Sequence, residues 1–419
     1  MNSAVDRLSV GYAKRDITPS IGASLAGRPM IVSRRARVIH DSLQARALHV
    51  VSGSTQITLL VADLLLITKG LQLEIARACN LDPEMLLVLA THTHSGPGGY
   101  WKGRQLESFM GPYREETRAL LVGSLSETVR AAAESTSPAD VYAASVDLPG
   151  MSTNRRQRDG AVDPVLTILK FDTQTGLPVC LVSFGAHPIV GLEREPFTMT
   201  ADYPGEICRR LETLGFQSMF VQGACGGTSP ALSHLPLEKH LQQYGDAFEG
   251  RIQDVVFKMK FQSVSRALIR QIPFPITTSP SRITPGGLPI WGALEDCVFP
   301  LKGYMAKLSK QGVAENQDAS LSAVRFGSIV FLGIPGEVGP LLSLSLRKAL
   351  ANAGANYQMI ASLCNGYVGY VHRNADYEYK RGIHILGLYE NAMSLAGRSA
   401  GDSILTFVEQ ASEIFAVAP

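Results

Sequence analysis

The sequence predicts an α/β protein whose mixed β-sheet core is flanked by helices. Strand-like apolar runs alternate with helix-like segments along most of the chain, which is the pattern of this fold class. Most of these runs are continuously apolar, as in strands buried on both faces. With 419 residues, 45% of them hydrophobic and 18% charged, the chain can bury a large core.

The elements follow each other in a regular order. Residues 57–68 and 85–90 read as buried strands with a helix between them, and 113–134 reads as a longer helix. Pro204 suits the first turn of another helix, because proline lacks a backbone N–H and the N–H groups of a first turn have no partner within the helix. The predicted strands are 57–68, 85–90, 139–148, 165–172, 179–186, 218–224, 321–337 and 357–366. The predicted helices are 69–80, 113–134, 204–215, 237–259 and 339–354.

One segment interrupts this alternation. Residues 271–300 are rich in Pro, Gly, Ser and Thr, which favours an extended loop on the surface of the domain. We therefore predict a single domain over residues 1–419 with an insertion around 260–320. Two interpretations of residues 271–300 remain: a lid that covers the substrate, and a plain surface insertion.

Composition excludes several classes of function. A net charge of +2 without a dense basic run gives no basis for nucleic-acid binding. No window reaches about 18 consecutive apolar residues, so no integral membrane segment is expected, and the first residues lack an export signal.

The six cysteines are far apart without a CxxC pair, which indicates reduced, buried thiols and no Cys zinc site. We predict a cytoplasmic protein in which any metal uses other ligands.

The clearest candidate site residues are His92 and His94, directly after the apolar run 85–90. Side chains two apart on an extended segment point the same way, so both imidazoles can face one cavity at the carboxyl edge of a sheet. A pair of hydrogen-bonded structural histidines is the alternative.

Other strand ends present similar chemistry. His187 follows one run, Glu337 another, and Tyr367 and Tyr370 a third. Each has an ordinary explanation: Glu337 as a carboxylate at a helix start, the tyrosines as packing residues. Together, imidazoles and a carboxylate among small residues predict a Zn²⁺ site, whose open position would hold water.

These motifs resemble the catalytic domain of the neutral, non-lysosomal ceramidases. The segments THTHSGPGGY, GAHP, PGE, NGYVGYV and YE occur in that family's order between about residues 11 and 391. The resemblance implies that family's catalytic-domain fold and a zinc-dependent amidohydrolase. The implied metal ligands are His92, His187, Glu337 and Tyr370.

The same resemblance implies further site residues. The implied catalytic residues are His94, Arg155 and Ser229, and the implied substrate-binding residues are Asn154, Tyr367 and Tyr379. The family's GDVSP segment corresponds to QGACGGTSPA here, in which Gly227 replaces the aspartate. Both a direct role for Ser229 and a plain turn are therefore open. The segment between Tyr370 and Tyr389 is longer than in the family, which leaves the tyrosine contacts open too.

The expected function is a zinc-dependent hydrolase in which a metal-activated water cleaves an amide bond of a small or lipid-like substrate. The same site acting on an ester, a lactone or a glycosidic bond is an alternative. A non-catalytic, metal- or ligand-binding relative is another. The carboxyl-terminal β-sandwich domain of the ceramidases is expected to be absent, and a homo-oligomer is left open.

Overall fold

Two β-sheets lie face to face, and helices cover both outer sides. The computed structural model describes residues 8–27, 34–102, 107–157, 159–231, 235–256, 258–262, 267–273, 319–377, 389–391 and 393–411. The strands are β1 (Ser9–Asp16), β2 (Val38–Ile39), β3 (Gln44–Ser52), β4 (Thr55–Ala62), β5 (Leu86–Ala90), β6 (Ser137–Asp147), β7 (Ser152–Asn154), β8 (Val165–Thr173), β9 (Val179–Phe184), β10 (Thr198–Met199), β11 (Gln217–Gln222), β12 (Thr228–Pro230), β13 (Lys260–Gln262), β14 (Ala267–Pro273), β15 (Ser320–Phe326), β16 (Ile329–Gly333), β17 (Glu337–Val338), β18 (Tyr357–Ala361) and β19 (Tyr370–Val371). The α-helices are α1 (Lys69–Ala78), α2 (Glu107–Met110), α3 (Glu115–Glu134), α4 (Val190–Arg194), α5 (Asp202–Thr213), α6 (Leu237–Val256), α7 (Pro340–Asn352) and α8 (Ala400–Gln410).

The larger sheet has mixed strand directions, as predicted. Among the described residues its order is β11-β9-β8-β6-β1-β3-β4-β5, with β13 also paired to β6. The pairs β4–β5 and β9–β11 are parallel, and the other neighbours in this order are antiparallel. All five residues of β5 are buried, which explains its continuous apolar run.

The smaller sheet has the order β14-β15-β16-β18 and packs on the larger one. Apolar side chains of both sheets, among them Val61 and Leu181 from one and Phe331 and Met359 from the other, form a shared core. Helices α1 and α3 cover part of the outer face of the larger sheet, and α5 and α6 cover another part. Helices α7 and α8 cover the smaller sheet. Each amphipathic layer thus buries its apolar face against a neighbour.

The segment after β18 connects the two edge strands of the larger sheet. Ser362 N donates to Gln222 O of β11 at 2.8 Å. Asn365 N donates to Val88 O of β5 at 2.9 Å, and its side-chain Oδ1 accepts from Val88 N at 2.7 Å. These bonds bring the loops after β5, β11 and β18 together, although they are far apart in sequence.

The structure corrects several predicted boundaries. The strand predicted over 321–337 is divided into β15, β16 and β17, because Gly327, with a φ of 58°, turns the chain between the antiparallel β15 and β16. The strand predicted over 57–68 ends at Ala62, because the buried residues that follow form the loop into α1, where Thr68 Oγ1 accepts from Leu71 N at 3.1 Å. Continuous burial by itself does not distinguish a strand from a buried loop. The helix predicted from Pro204 begins earlier, at Asp202.

Only the flanks of the predicted insertion around 260–320 can be described. Here β13 pairs with β6, and β14 pairs with β15. Residues 274–318 lie outside the described residues, so the lid over 271–300 stays a prediction. In the described ranges, no helix has both the length and the apolar character that crossing a bilayer requires.

Candidate metal and active site

The loop after β5 carries His92 and His94. The prediction that both lie on an extended segment is wrong, because His92 has a φ of 70°, in the left-handed region that non-glycine residues seldom adopt. Main-chain bonds hold this conformation: His92 N donates to Leu64 O at 3.0 Å and His94 N to Pro188 O at 3.1 Å. The two Nε2 atoms still lie 3.4 Å apart, so the imidazoles meet as predicted. Strain of this kind is typical of functional sites.

His187, in the loop after β9, completes a set of three converging imidazoles. Its Nε2 lies 3.2 Å from that of His92. The Nδ1 atom of each ring lies 2.7 Å from a backbone carbonyl: Leu65 O for His92, Gly27 O for His94 and Cys225 O for His187. Because a carbonyl can only accept, each Nδ1 carries the hydrogen, and each neutral ring directs an Nε2 lone pair towards the others.

Glu337 contributes a carboxylate to the same point. Its Oε2 lies 3.0 Å from His187 Nε2 and 3.4 Å from His92 Nε2, and none of the described residues donates a hydrogen bond to it. Tyr367 donates its hydroxyl hydrogen to Oε1 at 2.7 Å. Lone pairs and an anionic oxygen this close repel each other unless a cation lies among them. Imidazole nitrogens with a carboxylate are the donor set of catalytic Zn²⁺ sites, so these residues fit a divalent metal.

The protonation states suit metal binding. Burial alone would raise the pKa of the Glu337 carboxyl, but the positive charge that His92 and His187 carry when protonated holds it well below its usual range. Burial, with the nearby charge of Arg155, lowers the pKa of His187 to about 4. Burial also lowers the pKa of His94 well below its usual value, and His92 and His187 add to this effect. At neutral pH Glu337 is therefore a carboxylate, and His94 and His187 are neutral, which are the forms that bind metal.

Tyr370 and Arg155 lie beside this group. Strands β17 and β19 pair in parallel with Glu337 opposite Tyr370, which places the two side chains together. Arg155 Nη2 lies 3.0 Å from the Tyr370 hydroxyl oxygen, to which it donates, and 3.1 Å from His187 Nε2. Burial, and next the charge of Glu337, raises the pKa of Tyr370 well above its usual value, so the hydroxyl is a neutral phenol here. Metal ligation by Tyr370 stays a prediction.

Part of the chain matches the model of a known protein family. Residues 8–205 match the model described as neutral/alkaline non-lysosomal ceramidase, N-terminal. The similarity to this family thus covers 198 residues, just under half of the chain.

Two neutral ceramidases are similar to this chain in sequence. The protein from Mycobacterium tuberculosis is 31% identical over 158 residues, which are 36% of this chain and 23% of that protein. The protein from Pseudomonas aeruginosa is 21% identical over 476 aligned positions, covering 91% of this chain and 70% of that protein. The first match thus spans under a quarter of its relative, and the second more than two thirds.

Solved ceramidase structures share the fold. The crystal structure of the Pseudomonas aeruginosa neutral ceramidase gives a TM-score of 0.76 at 19% identity, over 98% of this chain and 75% of that one. A ceramidase complexed with C2 gives a TM-score of 0.74 at 18% identity, over 99% of this chain and 76% of that one. At these identities the similarity supports the fold alone. It confirms the predicted α/β fold class of the ceramidase catalytic domain.

Cys225 is a functional candidate that the sequence analysis missed. Possible ligand atoms of His92, His187, Cys225 and Glu337 all lie within 4.8 Å of one another, and all four residues are buried. The expectation that cysteine has no place at the metal site therefore needs correction. The signal was present, because Cys225 stands among glycines just after β11, at the same kind of strand end as the histidines. Burial raises the pKa of its thiol well above the usual value.

Of the other predicted site residues, the structure describes Asn154 and Ser229. Asn154 uses its side chain within its own loop: Nδ2 donates to Ala161 O at 2.7 Å, and Oδ1 accepts from Arg156 N at 2.9 Å. Ser229 lies in β12, half-buried and paired through its backbone with Thr153 of β7. Tyr379 lies outside the described residues. The proposed roles of these three residues stay predictions.

Gly227, which stands where the ceramidases have an aspartate, has a structural explanation. Its φ is 78°, and a Cβ atom there would lie 2.6 Å from Cδ of Arg156. The stem of Arg156 thus fills the space that a side chain at position 227 would need. Glycine at position 227 thus leaves room for the Arg156 stem and adopts a left-handed backbone conformation without strain.

Tyr367→Phe is expected to weaken metal binding without unfolding the protein. The hydroxyl group orients the Glu337 carboxylate, and losing such an outer hydrogen bond typically costs about 10- to 100-fold in metal affinity. Titration against a chromogenic chelator measures this change. Tyr12→Phe is the matched control, because it removes a hydroxyl that donates to Ser218 O at 2.8 Å on β11, at the opposite end of the strand from Cys225. Equal metal affinities for the two variants would contradict the orienting role of Tyr367.

Proposed function

We propose that this chain is a metal-dependent hydrolase that cleaves the amide bond of an N-acylated, ceramide-like or smaller substrate. The observation that carries the proposal is that the side chains of His92, His187 and Glu337 converge in a buried site. The Nδ1 atoms of both histidines bond backbone carbonyls, which leaves their Nε2 atoms for a metal. The names of the sequence relatives support an amide as the bond cleaved.

His92, His187 and Glu337 would hold the metal, with Tyr370 and Cys225 as candidates for a further position. A divalent ion in such a site lowers the pKa of water to about 7 and polarises a carbonyl oxygen. Zn²⁺ is the proposed ion, because two imidazoles and a carboxylate are its ordinary ligands in hydrolases.

Arg155 is the group best placed to bind the carbonyl oxygen of the substrate. Its guanidinium cannot lose its proton under ordinary conditions, and its Nη2 reaches the edge of the ligand group beside His187 and Tyr370. A fixed donor aimed at developing negative charge is typically worth about 10²- to 10³-fold in rate.

His94 is proposed to carry the proton. Since its Nδ1 donates to Gly27 O, its Nε2 is an acceptor in the neutral ring and cannot donate to an oxyanion in that state. His94 would accept the proton that the attacking water loses and return it to the nitrogen of the leaving amine. Ser229 as an alternative proton donor stays a prediction.

A cytoplasmic location is also a proposal. Five cysteines of the described residues are free: Cys79, Cys180, Cys208, Cys225 and Cys364. Free thiols are the usual state in reducing compartments, which supports this location.

The experiment is a turnover assay of the purified protein before chelation, after chelation and after reconstitution with Zn²⁺. The substrates are an N-acylsphingosine, a short N-acyl amide, matched esters and lactones, and aryl glycosides. We expect hydrolysis of an amide that disappears with the metal and returns with it. Turnover of esters or glycosides only would replace the proposed bond with an alternative. No turnover by fully metal-loaded protein would favour a binding protein.

A further inference from the structure

A buried glutamate accepts hydrogen bonds from two arginines, one of which also contacts the candidate metal ligand His187. Glu390 is fully buried, and its Oε1 accepts from Arg155 Nε at 2.7 Å. Its Oε2 accepts from Arg156 Nη1 at 2.9 Å, and His372 Nε2 lies 3.4 Å from the same oxygen. One carboxylate therefore bridges the guanidinium groups of two consecutive residues, and each of its oxygens serves a different one.

Arg155 connects this carboxylate to the candidate site. Its Nε is bound to Glu390, while its Nη2 lies 3.0 Å from the Tyr370 hydroxyl oxygen and 3.1 Å from His187 Nε2. A guanidinium is planar and rigid, so the bond at Nε determines the direction of Nη2. Only 11% of the Arg155 side chain is exposed, so water offers few competing partners.

Arg156 holds Glu390 from the other side. Its Nη2 donates to Asp376 O and to Asn391 Oδ1, both at 2.8 Å, and its stem lies over Gly227. The guanidinium of Arg156 thus ties the segment that carries Glu390 to the loop that carries both arginines. The carboxylate is held in place independently of Arg155, which is what an anchor for Arg155 requires.

We propose that Glu390 is a positioning residue that sets the direction of the Arg155 guanidinium and keeps Nη2 between His187 and Tyr370. The catalytic consequence of this positioning rests on the proposed function, in which Arg155 binds the substrate carbonyl oxygen. A carboxylate is needed at this place because each oxygen must accept from one arginine. An amide offers one acceptor and would turn its NH₂ group towards the other guanidinium.

The test compares Glu390→Gln with a matched control, Glu206→Gln. Glu206 is also buried and also accepts from two arginines, Arg209 and Arg210, but it lies on α5 outside the ligand group. For Glu390→Gln we expect unchanged metal content and a kcat about 10²-fold lower, because small misplacements of a positioning group cost about that much. We expect KM to change by less than about 3-fold, because the bond from Arg155 to the carbonyl oxygen strengthens as negative charge develops there, so most of its effect falls on kcat. Glu206→Gln should keep both constants.

Crystal structures of the two variants test the positioning without any substrate. In Glu390→Gln the Nη2 atom of Arg155 should leave hydrogen-bond distance of the Tyr370 hydroxyl, and in Glu206→Gln it should stay. An unmoved Arg155 in Glu390→Gln, or an equal fall of kcat in both variants, would overturn the inference. If Glu390→Gln does not fold, Glu390→Asp decides by the same criteria, since it keeps the charge but is one methylene too short to reach both arginines. A wild type without amide turnover would contradict the proposed function only, because the structural comparison would still decide the role of Glu390.

Discussion

His92→Ala is expected to yield a folded protein that no longer retains a divalent metal. His92 Nε2 lies within 3.4 Å of both His187 Nε2 and Glu337 Oε2, so its loss removes one side of the ligand group. Even outer partners of metal ligands are worth about 10- to 100-fold in affinity, and a ligand should cost more than that. The measurement is the metal-to-protein ratio after reconstitution with Zn²⁺ and gel filtration. Amide hydrolysis should fall to background together with the metal.

The matched control for this variant is His49→Ala. His49 is also buried, but it lies on β3 and bonds Thr58 Oγ1 at 2.8 Å, in contact with none of the candidate ligands. This control should lose stability and keep its full metal content. If His92→Ala bound as much metal as the control, His92 would not be a ligand and the proposed centre would have to be rebuilt around other residues.

His94→Ala is expected to keep the metal and lose the rate. Its imidazole is the proposed proton carrier, and a positioned general acid or base typically contributes about 10²- to 10⁴-fold. Its Nε2 lies 3.4 Å from His92 Nε2, on the side of the ligand group nearest Gly27. Steady-state kinetics with the amide that the wild type hydrolyses best would show the fall in kcat. Metal analysis of the same preparation separates this effect from loss of the ion.

A different outcome for His94→Ala would change its assigned role. If the variant lost its metal together with its activity, His94 would be a third imidazole ligand and the proton carrier would have to be another group. His94→Gln extends the test, because glutamine can accept a hydrogen bond but cannot carry a proton at neutral pH. Full activity of His94→Gln would exclude proton transfer by His94.

Several site residues were predictable because they belong to local patterns. His92, His187 and Glu337 each follow an apolar strand directly, and the carboxyl ends of parallel strands are where α/β folds place functional side chains. The structure brings these three residues together. Tyr370 lies opposite Glu337 in a parallel strand pair, a register that the sequence analysis did not predict.

Other features of the site had a weaker signal or none. Cys225 stands at a strand end like the histidines, but its spacing from other cysteines argued against a metal role. The left-handed conformation of His92 depends on backbone bonds to Leu64 and neighbouring loops, which no local pattern reveals. Glu390 is 235 residues from Arg155, and only the folded chain brings them to 2.7 Å.

The class of fold, the strand ends that carry candidate ligands and the residue types available for metal chemistry all follow from the amino-acid sequence. These properties arise from short-range hydrophobic patterns and from side-chain chemistry, which neighbouring residues already contain. The folded chain is needed to show which Nε2 atoms face each other, which carbonyls accept from the Nδ1 atoms, and which carboxylate binds Arg155. These distances depend on packing between the two sheets and on the hydrogen bonds of Ser362 and Asn365 to opposite edge strands, which join segments far apart in sequence.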